Sequence, residues 1–237
     1  EQNLLNAREL FESYLQQVFS QRGEGWVENN LGAVAEFKNG LNFSQSSKGE
    51  QLKVVGVKDF KSNFMVPYGQ LDTIQIDGDL SEAYELEEND IITVRSNGNK
   101  RLIGRCLLMG KAESKTSYSG FTIRIRLNDE NINPEFLAYY LKSASTHELL
   151  INSGEGANIS NLNQKILTAL PITYPSYDQQ LQLLSKIKKI EVESGTLKRI
   201  YSEKLAALDE LKKSILHLAF SGELTKAPAT KKNKGAA

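Results

Sequence analysis

The chain has 237 residues, 40% of them hydrophobic, which is enough for one large domain or for one domain with an appendage. Its 29 basic and 29 acidic residues cancel, so no overall field favours a polyanionic partner. The single cysteine, Cys106, excludes an internal disulfide framework and is typical of a reducing cytoplasm. We expect a cytoplasmic protein without a membrane partner, because no apolar run is long enough to span a bilayer and the polar start is unlike a signal peptide.

The first predicted element is an amphipathic helix over residues 3–20, in which apolar side chains recur at three- and four-residue steps. From Trp26 the pattern changes to short apolar runs separated by Gly, Asn and Asp, which is typical of strands and turns. Strands are predicted at residues 32–37, 52–57, 73–76, 90–95, 102–109 and 121–127.

Helical patterns return after residue 133. Pro134 suits the first turn of a helix that continues to residue 150, and a short helix is predicted at residues 159–167. Residues 170–175 are expected to be extended, because a residue that precedes proline avoids the helical conformation.

The longest predicted element is a helix from residue 178 to about residue 220. Its apolar side chains follow steps of three and four, which is the pattern of a coiled-coil seam. At about 1.5 Å per residue this helix is roughly 64 Å long, which exceeds the width of a small domain. One interpretation packs it on its own globular body, but a seam for another helix is favoured because the stripe continues past any domain edge. The predicted helix-pairing residues are Phe11, Leu15, Ile187, Ile190, Leu197, Tyr201, Leu208, Leu211, Ile215 and Leu218.

A short phrase near the start of the chain recurs near its end. Six residues are identical at an offset of 201 positions: Glu9/Glu210, Leu10/Leu211, Ser13/Ser214, Leu15/Leu216, Phe19/Phe220 and Ser20/Ser221. Both copies have a helical pattern, so the sequence predicts a globular body bracketed by two related helices.

Charge is distributed unevenly along the middle of the chain. Residues 72–90 contain eight acidic and no basic residues, whereas residues 91–128 contain eight basic residues and one acid, Glu113. A fold that places the basic stretch on one face would make a surface able to meet phosphates, although such asymmetry often only decorates solvated faces.

The segment Arg95–Arg101 lies between two predicted strands and contains Asn97-Gly98, a pair suited to a tight hairpin turn. A plain turn is one interpretation of this segment. The other is base readout, because arginine can bind guanine and asparagine can bind adenine through two hydrogen bonds each. Lysine and arginine beside them can hold phosphates.

Catalytic motifs are missing from the sequence. His147 and His217 have no second histidine or cysteine at metal-ligand spacing, and neither a phosphate-binding loop nor a nucleophile elbow is present. We therefore predict a protein that is not an enzyme and that holds no metal or cofactor itself.

Four stretches of the chain resemble the specificity subunit of type I restriction-modification systems, and together they cover nearly all of it. The family's opening motif is similar to Trp26 with 31–35, and its central strand-loop-strand to 90–98 with 102–104. Its closing segment is similar to 158–160, 170–172 and Pro175, and its C-terminal helix to 208–216 with 219–224. The chain departs from the family pattern at Ala33, Ser176 and Gln179, where the family usually has an acid, a second proline and a glutamate, and it keeps the glutamine that ends the closing segment as Gln180.

The resemblance implies an α+β fold, with a mixed target recognition domain between a short N-terminal helix and a long C-terminal coiled-coil helix. The expected limits are 1–25 for the first conserved helix, 26–177 for the DNA-binding domain, 178–222 for the long helix and 223–237 for a disordered tail. Because the family's full-length subunits have two recognition domains, this chain corresponds either to half of a longer subunit or to a natural half-length version.

The resemblance also implies partners. They are double-stranded DNA, methyltransferase subunits that bind S-adenosylmethionine, and a restriction subunit with motor and nuclease activity. Two copies of the chain are expected to associate through their helices and to read a symmetric, split DNA site.

Sequence readout is then expected from loops within residues 26–175. The first candidates for DNA contacts are Arg95, Asn97, Lys100 and Arg101. The second group is Ser96, Arg105, Lys58, Tyr118 and Asn158.

Two other classes of function stay open from the sequence. One is a coiled-coil assembly module that binds protein and not DNA, which accounts for the helices but leaves the basic stretch unused. The other is an enzyme in which carboxylates of residues 72–90 hold a metal. Salt-sensitive binding to duplex DNA separates the first class from a DNA reader.

Overall fold

A computed structural model of the chain describes residues 1–44, 47–61, 63–152 and 161–221. It divides into two units. Residues 12–190 form what we call the globular unit, and residues 1–11 with the chain from residue 191 onward form the helical unit. These units do not coincide with the expected segments, because both long helices contribute buried side chains to the globular unit.

The described residues form helices and strands in the order expected of an α+β protein. The helices are α1 (Gln2–Ser20), α2 (Pro134–Lys142), α3 (Ala144–Asn152), α4 (Gln164–Ala169) and α5 (Tyr177–Phe220). The strands are β1 (Val27–Asn30), β2 (Ala35–Asn39), β3 (Gln51–Val55), β4 (Asp72–Gln75), β5 (Ile91–Val94), β6 (Cys106–Leu108), β7 (Thr116–Tyr118), β8 (Thr122–Leu127) and β9 (Pro171–Tyr174). The predicted fold class is confirmed.

The strands form three sheets. The largest has the order β2-β8-β5-β6 and is antiparallel throughout, with Ile91 opposite Ile125 on β8 and Leu108 on β6. A second sheet has the order β4-β3-β7, in which β3 and β7 are parallel. The third pairs β1 with β9, so the start and the end of the globular unit's β-structure lie side by side.

The main hydrophobic core is built from strands of both larger sheets and the turns between them. Its members are fully or nearly fully buried: Val55, Phe60, Val66, Leu71, Leu86, Ile92, Val94, Leu107, Met109 and Tyr118. Every residue of β5 is buried, and β5 lies between β8 and β6 in the largest sheet.

The predicted helix over residues 135–150 is two helices. Asn133 caps α2, where its side chain accepts hydrogen bonds from the backbone N–H groups of Glu135 (3.0 Å) and Phe136 (3.2 Å). Ser143 ends α2 in an extended conformation (ψ 146°), and its hydroxyl donates to Tyr140 O at 2.7 Å. A serine that bonds its own backbone competes with the helix, and the prediction missed this break.

Most predicted strands are present with limits shifted by one to three residues, but two regions differ. Residues 102–105 of the predicted strand 102–109 belong to a turn, and β6 begins at Cys106. Strands β1 and β7 were not predicted, since each is short and carries few apolar residues. The long helix is confirmed as α5, and the predicted helix 159–167 corresponds to α4, with residues 159 and 160 outside the described part.

Several other predictions concern chain termini and membranes. The predicted disordered tail at 223–237 lies outside the described residues. Within the residues that are described, no helix combines the length and the apolar character needed to cross a bilayer.

Candidate nucleic-acid interface

The connection between β5 and β6, residues 95–105, is a wide loop and not the tight hairpin turn that was predicted. The two strands pair as far as Thr93 and Cys106, and a single 3-10 turn occupies Lys100–Leu102. Positive φ is found at Gly104 (79°) and not at Gly98. The asparagines account for the difference, because Asn97 Oδ1 accepts from Asn99 N (2.8 Å) and Asn99 Oδ1 accepts from Arg101 N (3.1 Å).

The loop is fixed to the body at both ends. At its start, Arg95 N donates to Phe121 O at 2.8 Å, and Arg95 O accepts from Leu162 N at 2.8 Å. At its end, Arg105 donates from Nε to Arg101 O (3.1 Å) and from Nη1 to Lys61 O (2.8 Å). Arg105 thus joins the loop to residue 61, and its charge is held at a defined place.

A cavity of about 430 Å³ opens beside this loop, and most of its charged wall is basic. Its basic side chains are Lys61, Arg101, Arg105 and Lys142, with His147 among them, and its acid is Glu12. Leu15, Phe60, Cys106 and Leu141 contribute apolar or buried wall. We call this arrangement the basic cavity; converging cations of this kind suit an anion such as a phosphate group.

Backbone contacts hold the walls of the basic cavity in place. The Lys142 ammonium donates to Asn63 O at 3.1 Å and lies 5.0 Å from the centre of the Phe64 ring. His147 Nε2 lies 2.9 Å from Ile103 O, so this nitrogen carries the proton and donates to the carbonyl. Lys61, Lys142 and His147 were not predicted as site residues, because nothing local in the sequence signals that they approach residues 95–105.

Cys106 provides a test of how closed the wall of the basic cavity is. Its side chain is 3% exposed, and burial raises the pKa of the thiol to about 11. Only the thiolate is nucleophilic, so we expect iodoacetamide at pH 8 to alkylate the folded protein at least tenfold more slowly than the unfolded chain. Mass spectrometry of a labelling time course measures this.

The pH dependence of stability follows from the raised pKa of the Cys106 thiol. The folded state binds the thiol proton more tightly than the unfolded state, so this contribution to stability is present below the unfolded thiol's pKa and is lost as the pH rises towards about 11. In the iodoacetamide experiment, equal labelling rates in the folded and unfolded chains would contradict the burial of Cys106.

Two arginines of the basic stretch bind groups of the acidic stretch in the fold. Arg126 on β8 donates to both oxygens of Asp90 (2.7 and 2.8 Å) and pairs with Glu87, and the Asp90 carboxylate raises the pKa of this guanidinium. Arg124, which is 5% exposed, donates to Ala83 O at 3.2 Å. The basic stretch therefore does not contribute all of its cations to one surface, because β8 runs beside β5 and meets the acidic segment that precedes it.

The structure brings some of the predicted DNA contacts together and removes others. Arg101 and Lys100 are exposed on the loop, and Ser96 and Asn97 are half-buried near its start. Arg95 is half-buried, and its Nε has no hydrogen-bond partner among the described atoms.

Among the second-group candidates, Tyr118 is contradicted, Lys58 is paired with an acid, and Asn158 stays a prediction. Tyr118 is 0% exposed within the hydrophobic core, so its ring is not available to DNA. Lys58 forms an ion pair with Asp72. Asn158 lies outside the described residues.

A family model of the type I restriction modification DNA specificity domain matches residues 23–203 of this chain. The chain belongs to this family. The match begins just before β1 and ends within α5, so it includes loop 95–105 and every basic residue of the basic cavity, although Glu12 and Leu15 of the cavity wall precede it.

Two curated relatives of this specificity-domain chain are specificity subunits of type I restriction enzymes. That of StySPI, from Salmonella potsdam, is 29% identical over 206 residues, which cover 85% of this chain and 44% of the relative. That of EcoKI, from Escherichia coli strain K12, is 22% identical over 198 residues, which cover 81% of this chain and 41% of the relative. The chain thus spans less than half the length of these relatives.

Solved structures share the fold of the specificity-domain chain. The HsdS subunit from Thermoanaerobacter tengcongensis matches with a TM-score of 0.63 at 20% identity, covering 92% of this chain and 52% of that one. A chain from a study of complex assembly and conformational transition of the type I R-M system matches with a TM-score of 0.73 at 18% identity and the same coverage. At these identities the likeness concerns the fold.

One family motif acquires a structural explanation. Gln180, in the closing segment of the specificity domain, is 0% exposed. Its amide donates to Asn131 O (2.8 Å) and Pro175 O (2.9 Å) and accepts from Asn133 N (2.8 Å). This side chain joins the first turn of α5 to the loop that caps α2, so it fixes where the long helix begins.

The predicted helix-pairing residues differ in how deeply they are buried. In the globular unit, Leu15 and Ile187 are 4% and 0% exposed, so they pack within their own chain and their assignment to an interchain seam is wrong. Phe11, Ile190, Leu197, Tyr201 and Leu218 are half-buried. In the helical unit, Leu208, Leu211 and Ile215 are 61%, 55% and 47% exposed.

Proposed function

We propose that this chain is the sequence-specific DNA recognition part of a type I restriction-modification complex and that it reads one half of a bipartite target. The observation that carries the proposal is the basic cavity beside loop 95–105, whose basic side chains all lie in the segment that the specificity-domain family matches. Loop 95–105 supplies Arg101 and Lys100 at the surface, and Lys61 and Lys142 extend the same charge on neighbouring elements.

The assembly we propose rests on the exposed apolar side chains of α5. This chain spans 44% and 41% of two specificity subunits, and the resemblance implies that a full-length subunit has a second recognition domain. A second copy that pairs through Leu208, Leu211 and Ile215 supplies one by two-fold symmetry, and the DNA target is then symmetric and split.

The proposed partners are those of the type I system. Duplex DNA lies over loop 95–105, methyltransferase subunits dock on the assembled chain, and a restriction subunit with motor and nuclease activity joins them. Catalysis and S-adenosylmethionine binding belong to the partner subunits in this proposal.

The phosphate contacts can be tested by the salt dependence of DNA binding. We expect the double substitution Lys61→Ala and Arg101→Ala to weaken binding about tenfold or more at moderate salt, because each removes a cation of the basic cavity. Each lost phosphate contact also flattens the slope of log affinity against log salt concentration by about 1. Fluorescence anisotropy with a pool of random-sequence duplexes measures both quantities.

The matched control is Lys189→Ala, which removes an exposed lysine of α5. It should leave the affinity and the slope unchanged. An unchanged slope in the double variant would refute the proposed phosphate contacts.

The exposed apolar side chains of α5 also favour a second candidate function, an assembly module that binds protein and not DNA. The same titration separates the two. Salt-dependent binding of duplexes by the wild-type chain supports the DNA reader, and no binding at any salt concentration supports the assembly module.

A further inference from the structure

Phe121 stands out on the surface of the globular unit. It lies at the end of the turn between β7 and β8 and is 61% exposed, more than any other large apolar side chain in the described part of this unit. By contrast, the side chain of Tyr118, three residues earlier, is 0% exposed. A single exposed apolar side chain is common on a protein surface, so the case for binding rests on how the backbone at Phe121 is held and on what it is joined to.

The turn that carries Phe121 is rigid. Thr122 donates twice to Ser119 O, from its backbone N at 2.9 Å and from its hydroxyl at 2.7 Å. Gly120 N donates to Leu41 O at 2.7 Å, and a Cβ on Gly120 would lie 2.2 Å from Asn42 Oδ1. The backbone at Phe121 is therefore fixed from two sides, and the ring is presented to solvent at little entropic cost on binding.

The same turn is joined directly to loop 95–105. Phe121 O accepts hydrogen bonds from Arg95 N at 2.8 Å and from Ser96 N at 3.3 Å. The backbone at Phe121 and the start of the loop are thus held together, so the exposed phenyl ring is carried on a segment bonded directly to Arg95 and Ser96. Protein surfaces that read DNA combine these groups, because cations hold phosphates while apolar groups contact thymine methyls or the faces of unstacked bases.

We propose that Phe121 is a base-contacting residue, which packs against the bases of a DNA duplex bound over loop 95–105. This inference rests on the proposed DNA-recognition function. A phenyl ring carries no charge and releases no counterions, so its contribution to affinity is independent of salt. That property distinguishes it from Lys61 and Arg101.

The test uses the full chain and a duplex pool enriched for binding to the wild type. Phe121→Ala should weaken binding about tenfold with an unchanged salt slope, as expected for the loss of one base–aromatic contact. Phe121→Tyr, which keeps the ring, should bind within about twofold of wild type. Leu181→Ala, which truncates another exposed apolar side chain of the globular unit (46%), should leave binding unchanged.

Each other outcome overturns the inference in a distinguishable way. Unchanged affinity of Phe121→Ala beside a wild type that binds salt-dependently overturns only the role of Phe121. A thermal midpoint lowered in parallel with affinity, or equal losses in Phe121→Tyr, assigns Phe121 to folding. Intact DNA binding with lost association to a methyltransferase subunit assigns the ring to a protein interface. A wild-type chain that does not bind DNA overturns the proposed function as well.

Discussion

Gly32→Ala is expected to lower the free energy of unfolding of the globular unit by about 3 kcal/mol, at the upper end of the cost of overpacking. A Cβ at this position would lie 2.4 Å from Thr168 Cγ2 and 3.0 Å from the Cα and the backbone oxygen of Thr168. The side chain of Thr168 is itself held in α4, where its hydroxyl donates to Gln164 O at 2.8 Å. The new methyl group therefore has to displace α4 and not merely a side chain.

The location of Gly32 makes the displacement costly. Gly32 lies in the turn between β1 and β2, next to Leu31, which is 0% exposed and whose N–H donates to Leu170 O at 2.8 Å. Moving α4 therefore strains the pairing of β1 with β9 that closes the globular unit. Urea denaturation followed by circular dichroism measures the change.

Gly69→Ala is the matched control for this substitution. A Cβ on Gly69 meets no atom within 4 Å, and its φ is not positive, so its stability should change by no more than about 0.5 kcal/mol. A Gly32→Ala protein as stable as the control would show that α4 yields easily, which would contradict the close packing described here.

The helices and the family's motifs were predictable because their signals are local. Steps of three and four residues predicted α5 over nearly its full length, Tyr177–Phe220. Gly32 and Gln180 belong to motifs that the resemblance recognised, but their purpose was not predictable. Each contacts residues far away along the chain, Thr168 in one case and Asn131 and Asn133 in the other.

The electrostatics of the site were predicted less well, because counting charges along a sequence ignores which strands are neighbours. Arg124 and Arg126 were counted towards a basic surface, yet β8 lies beside β5 and both arginines bind groups of the acidic segment. The basic cavity instead recruits Lys61 and Lys142, which lie 34 or more residues from Arg95 along the chain. Only tertiary structure brings such residues together.

The apolar stripe of α5 shows a related limit. Its period is the same from Ile187 to Ile215, but Ile187 is 0% exposed and Ile215 is 47% exposed. Periodicity predicts that one face of a helix is covered, but it does not identify what covers that face. In this chain, the first part of the stripe is covered by the globular unit, and the exposed last part is the candidate for pairing with a second chain.

Leu211→Asp with Ile215→Asp is expected to convert a dimer of this chain into a monomer. Between residues 208 and 220, the exposed large apolar side chains of α5 are Leu208, Leu211, Ile215, Leu216 and Phe220, at 61%, 55%, 47%, 45% and 88%. In a two-fold pair the double substitution removes four apolar side chains and places four carboxylates at the seam. If half of the usual burial energy of each side chain is realised, the loss is about 4 kcal/mol, which corresponds to roughly a thousandfold weaker association.

Light scattering across a concentration series decides the matter, with circular dichroism as the check that α5 remains helical. Ser202→Asp with Ala206→Asp is the matched control, since it adds the same two carboxylates at exposed positions on the opposite side of the helix from Leu211 and Ile215. A control that dissociates equally would attribute the effect to charge alone.

A wild-type chain that is monomeric at every concentration would refute self-pairing, and the second recognition domain would then have to come from a different chain or from a longer form of this one. If only the seam variant loses the dimer, α5 is what joins the two copies. The spacing between the two copies of loop 95–105 would then depend on α5. Lengthening α5 by whole turns should in that case change the spacer of the DNA target.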